Sequence, residues 1–161
     1  MNVVCHPNQH PIKFNKHSFA LCQDQMTIQE QYHELSFYTL SHKERFIHQH
    51  IVDAFAAQTA DTNTKSVTIF FSLAGLYLFV EKNYTGKQVQ DAHIQMAKKP
   101  KEYIKVILPE SRGSITVKNV LDTPPGVDRD DMIRQWCVSV WTAFSNQHDK
   151  IIFLTEKLLA K

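Results

Sequence analysis

Glycine is scarce, at 4 residues in 161. Because β-turns lean on glycine for positive φ, this shortage argues against a turn-rich β-sandwich and for helices. Cysteine is also sparse, at 3 residues (Cys5, Cys22 and Cys137). The start has neither a basic n-region nor an apolar h-region, so no secretory signal is expected. The cysteines then read as thiols or metal ligands rather than as a disulfide framework. Neither sign of charge dominates: Lys+Arg 18 against Asp+Glu 16 leaves a net +2. That is too little for an electrostatic footprint on a phosphate backbone. The short basic run Lys98-Lys99-Pro100-Lys101 reads as a solvated connector. No apolar run is long enough to span a bilayer: Val67 to Val80 is interrupted by Thr68, Ser72 and Gly75, and it falls short of the roughly 20 residues a span needs. The expectation is a cytoplasmic protein with no nucleic-acid partner and no membrane.

What is present is an apolar fraction of 43% and an unusual histidine count of 9. Residues 1–26 form a Cys/His-containing N-terminal segment without apolar periodicity, and residues 27–161 read as a single helical-bundle domain. Thr27-Ile-Gln-Glu30 matches a capping box, in which the threonine oxygen and the carboxylate satisfy orphan N–H groups. Ile28, Tyr32, Leu35 and Thr39 then share one face of a helix over about 28–40. A second helix is expected over about 42–58, with Ile47, Ile51, Ala54, Phe55 and Gln58 on its stripe. A third, about 64–82, is apolar nearly all round and belongs at the centre of the bundle. Thr85-Gly-Lys-Gln88 is another capping-box match and opens a helix to about 98, which Pro100 ends. The β-branched stretch 103–108 permits a short strand or extended chain lying on the bundle. Thr116 caps a short helix to Leu121, Pro124-Pro125-Gly126 breaks the chain, and helices follow over about 128–146 and 149–160. The fold class is therefore all-α, a bundle of five to six helices with an irregular N-terminal segment.

Two constellations carry possible chemistry. Cys5, His10, His17 and Cys22 form one candidate metal set, since thiolate and imidazole suit tetrahedral zinc. Their spacing is not that of a zinc finger, and a solvated arm with scattered histidines explains them equally. The other lies in the helices: His33, then His48, His50 and Asp53, with His93 and His148 available from other elements. His50 and Asp53 are three apart and so share one helical edge, as a ligand pair or as a carboxylate orienting an imidazole. His48 projects roughly 160° away, so a single ion cannot easily hold both histidines of a regular helix. Gln58 sits mid-stripe and, if buried, needs hydrogen-bond partners. His148, just past the expected fifth helix, would suit a helix C-terminus. Trp136, Cys137 and Trp141 read as core, although a Cys/His nucleophile pair stays open because its members need only be close in space.

The segments Tyr32-His-Glu-Leu35, His48-Gln-His-Ile-Val-Asp-Ala-Phe-Ala-Ala-Gln58 and Gly75-Leu-Tyr-Leu-Phe-Val-Glu81 resemble a bacterial domain-of-unknown-function family. So do Gly86 to His93, Arg112 to Leu121 and Trp136 to Trp141, and the likeness covers about residues 30–148. The resemblance implies membership and a helical fold but no activity. Members of that family often have a Cys-rich start and a histidine directly after the glutamine matching Gln58, where this chain has Thr59. Some also carry a histidine where Phe70 stands.

Two functions compete. One is a transition-metal site, zinc by default, assembled from histidines of the bundle and able to activate water or polarise a substrate oxygen. The other is a non-catalytic interaction or homo-oligomerisation module, in which the same polar residues form a structural network fixing how helices cross.

Overall fold

A computed structural model describes residues 26–41, 47–99 and 105–160. Within them lie seven α-helices: α1 (Ile28–Ser41), α2 (His48–Thr59), α3 (Ser66–Val80), α4 (Gly86–Ala97), α5 (Val117–Asp122), α6 (Val127–Ala143) and α7 (His148–Leu159). The described residues contain no strand, so the architecture is all-α. None of their helices is long and apolar enough to cross a membrane.

Helix starts form where local chemistry favours them. Glu30 Oε2 accepts from the Thr27 N–H at 2.7 Å, and Gln88 Oε1 accepts from the Thr85 N–H at 2.8 Å. Asn119 Oδ1 does the same for the Thr116 N–H at 2.8 Å, which opens the short α5. Each reciprocal pair satisfies donors that a helix N-terminus leaves orphaned. The second helix is observed from His48; residues 42–46 of the expected helix, with His42, lie outside the described residues.

Helix α3 is the axis of the bundle, in contact with α2, α4, α6 and α7. Its residues from Ser72 to Leu78 are all buried, as its all-round apolarity requires. Around it the core is closed by Leu35, Ile51, Met96, Ile133, Trp136 and Phe144, each fully buried. Helix α1 reaches this core through α2 and α5. Tyr38 Oη donates to Asp130 Oδ1 at 2.9 Å and accepts from the Gly126 N–H at 3.0 Å. Gly126 holds φ at 109°, a backbone conformation that favours glycine. Arg129 is buried against the end of α5, where Nε donates to the Thr123 carbonyl and Nη2 to the Leu121 carbonyl, both at 2.9 Å. A guanidinium there satisfies carbonyls that the helix end leaves open.

The extended stretch is observed as 105–109 without strand pairing, while 101–104 lie outside the described residues. Val106 is buried on the bundle and the Lys105 carbonyl accepts from Lys150 Nζ at 3.0 Å.

Helix α6 is shorter than expected. It ends at Ala143, and a 3-10 turn, Ser145–Gln147, leads straight into α7. His148 opens α7 and at the same time closes the end of α6. Its ring stacks on Trp141 at 3.7 Å and Nε2 donates at 2.9 Å to the Trp141 carbonyl, in the last turn of α6. This is the favourable contact of an imidazole with a helix C-terminus.

Candidate functional site

The polar centre of the molecule lies where α2 crosses α3, and its geometry follows from glycine. Gly75, buried mid-way along α3, lies against the Asp53 side chain of α2. A Cβ built there would sit 2.0 Å from Asp53 Oδ2 and 3.1 Å from His93 Nε2. Glycine inside a helix costs backbone entropy relative to alanine, and here it makes room for a carboxylate.

Asp53 is 4% exposed. Its Oδ1 accepts from Gln49 Nε2 at 3.1 Å, and its Oδ2 is buried without a hydrogen-bond partner. Burial raises its pKa well above 3.8, and the Gln49 bond only partly opposes this. The desolvated site thus favours the neutral carboxyl.

One turn back, on the same edge of α2, His50 lies 3.6 Å from the Phe79 ring in parallel stacking. Its Nδ1 is also buried without a hydrogen-bond partner. Burial, helped by the positive charge of Arg134, lowers its pKa to about 4. The Arg134 guanidinium lies over the same Phe79 ring at 4.8 Å.

From α4, His93 donates Nε2–H to the Phe71 carbonyl at 3.1 Å. Burial holds its pKa below 6.5, with the carbonyl partly opposing. Tyr32 stacks on Phe55 at 4.0 Å. Burial raises its pKa, and the charge of Asp53 adds to the rise. Cys137 Sγ points to the His50 carbonyl at 3.7 Å. Burial, with Asp53 adding, pushes this thiol up, so it is a core thiol and not an activated nucleophile.

Of the six sequence-predicted residues in the bundle, the structure gathers Asp53, His50 and His93 around the α2–α3–α4 contact. The other three lie elsewhere. His33 is exposed on α1 and accepts from Gln29 Nε2 at 3.0 Å. His48 pairs through Nδ1 with Thr39 Oγ1 at 2.8 Å and joins α1 to α2. His148 is stacked on Trp141. Among the described residues, no three His, Cys, Asp or Glu side chains stand close enough together to hold an ion. Cys5, His10, His17 and Cys22 lie outside the described residues.

Gln58, half-buried, makes a second set of polar contacts. Its Nε2 donates to the Ile115 carbonyl at 2.8 Å and the Arg112 carbonyl at 3.3 Å, while its Oε1 accepts from Trp136 Nε1 at 2.9 Å. Sequence reasoning missed the part played by Gly75 and Phe79. The signal for Gly75 was available, because a glycine inside an otherwise apolar helix implies close approach. For Phe79 no local signal existed.

Residues 27–145 match the model of DUF5946, described as a family of unknown function. No curated protein and no solved structure matches the chain.

Proposed function

The chain belongs to DUF5946, a family that brings no activity with it, and from its own residues we propose that it binds a divalent transition-metal ion, zinc by default, on the His50–Asp53 edge of α2. The observation that carries this is a pair of orphaned atoms. Asp53 Oδ2 and His50 Nδ1 are both buried and without hydrogen-bond partners, on residues that neighbour each other along one helix. A buried polar atom left unpartnered costs about 1–3 kcal/mol, and an ion would satisfy both and offset the desolvation of the carboxylate. An imidazole and a carboxylate three apart on one helix, completed from a facing helix, is how bundle metal sites are built. His93 on α4, whose Nε2 donates to the Phe71 carbonyl, is the residue that would complete the set. An ion held by three protein ligands would keep a position open for water or substrate. We take the protein to be cytoplasmic.

A second reading has its own support. His48–Thr39 and Gln58–Trp136 show polar side chains of this bundle spent on helix crossing. The His50–Asp53 edge would then be more of the same network in a non-catalytic interaction or homo-oligomerisation module.

Metal analysis by mass spectrometry on untagged full-length protein separates the two. A stoichiometric ion is expected, lost in Asp53→Asn and in His50→Gln and retained in His33→Gln and His148→Gln. Retention in Asp53→Asn with loss in Cys5→Ser or Cys22→Ser moves the ion to the N-terminal segment and overturns the proposal. No ion at all leaves the second reading.

A further inference from the structure

A groove of about 610 Å³ runs between the 111–115 loop and α6, and it meets the His50–Asp53 edge only through Arg134, whose guanidinium shares the Phe79 ring with His50. Its wall is built rather than incidental. Ser139 Oγ accepts from the Ser114 N–H at 2.9 Å and the Ile115 N–H at 3.3 Å, which fastens the loop to α6. From below, Gln58 holds the Arg112 and Ile115 carbonyls. Gly113 takes φ of 110° so close to α6 that a Cβ would stand 3.0 Å from Ser139 Oγ. A loop held from both sides by side chains of rigid helices is a preformed surface, and loops so positioned are where binding groups concentrate.

The lining specifies what would fit. Ile115, Val138 and Ala143 contribute apolar surface, and Ser114, Ser139 and Thr142 contribute hydroxyls. Arg134 contributes one positive charge, and no described lining residue is acidic. Its Nη2 donates to Asn83 Oδ1 at 2.9 Å and its guanidinium lies over the Phe79 ring at 4.8 Å, two contacts that restrain the side chain at the rim of the groove. One planar cation matches one carboxylate through paired N–H donors. The volume lies within the range of roughly 300–1,000 Å³ typical of small-molecule sites, which are mostly apolar with a few orienting polar groups. We propose that this groove binds a small monocarboxylic acid, its carboxylate on Arg134 and the neighbouring hydroxyls and its apolar body along Ile115 and Val138.

Sodium hexanoate titrated into the full-length protein, followed by amide chemical shifts, tests it. Saturable shifts confined to the 111–115 loop and the facing turns of α6 are expected, with Kd on the order of 1 mM or tighter. Arg134→Gln is expected to weaken binding about tenfold or more, and 1-hexanol, which keeps the body and lacks the charge, should bind correspondingly worse. Because Arg134 also touches Phe79, a second variant guards against misfolding: Val138 is 41% exposed, and Val138→Asp places a repelling carboxylate in the groove. That variant should abolish the shifts. The absence of saturable shifts, hexanol binding as well as hexanoate, or unchanged binding in Val138→Asp would each overturn the proposal.

Discussion

Asp53 occupies the space that a side chain at position 75 would need. A methyl on Gly75 would meet Asp53 Oδ2 at 2.0 Å and Asp53 Cγ at 2.6 Å, both far inside van der Waals contact. Helices α2 and α3 are therefore fitted to each other at this one pair, carboxylate against bare backbone.

Gly75→Ala follows directly. Alanine is the better helix former by about 1 kcal/mol, yet overpacking of a closed core costs about 1–3 kcal/mol and here the displaced group is a fully buried carboxyl. The net effect is destabilisation, read as a lower urea midpoint. In an Asp53→Ala background the 2.0 Å clash is gone and only the 3.1 Å approach to His93 Nε2 is left, so the same change should cost much less. A double-mutant cycle with additive effects would refute the pairing.

The two orphaned residues should oppose each other across the pH range when the protein is kept in chelator. His50 titrates near 4 when folded against 6.5 ordinarily. Between those values the unfolded chain binds a proton that the native chain does not, so stability is lost as pH falls from 6.5 toward 4. His48 and His93, also lowered by burial, add the same sign. Asp53 runs the other way, because the native chain keeps a proton that the unfolded chain has released above 3.8. Its contribution is lost as pH rises from 3.8 through its raised folded pKa. Urea unfolding at a series of pH values should show a shallower acid limb in His50→Gln. Asp53→Asn should gain on the wild type as pH rises. An acid limb unchanged in His50→Gln would sink the assignment.

Trp136→Phe keeps the buried ring and removes the donor to Gln58. The half-buried Gln58 Oε1 then loses its partner, at a cost of about 1 kcal/mol. Hydrogen exchange should quicken at the 111–115 loop more than at α7, because Gln58 is what holds that loop's carbonyls. Uniform quickening over the whole chain would show that Trp136 acts only through bulk packing.

Local features were legible in the sequence. The Thr27–Glu30 and Thr85–Gln88 boxes depend on residues three apart, and the central place of α3 follows from its composition. The same holds for the His50–Asp53 edge, which is set by helical periodicity alone. Whatever depends on tertiary contact was not legible. That Gly75 would face Asp53, that Phe79 would lie on His50, and that His93 rather than His33 would approach are decided by how α3 and α4 pack on α2. The end of α6 was overextended to Asn146 because a 3-10 turn of three residues carries no periodic signal.

Gln58 also bears on the order in which the molecule assembles. Its amide joins segments 54, 57 and 78 residues away along the chain. Contacts of that separation repay their loop-closure entropy only once the elements carrying them have met. The 111–115 wall is therefore expected to lock only after α2 and α6 have docked. Substitutions at Gln58 should accelerate unfolding far more than they slow folding, a low-φ signature in kinetic measurements.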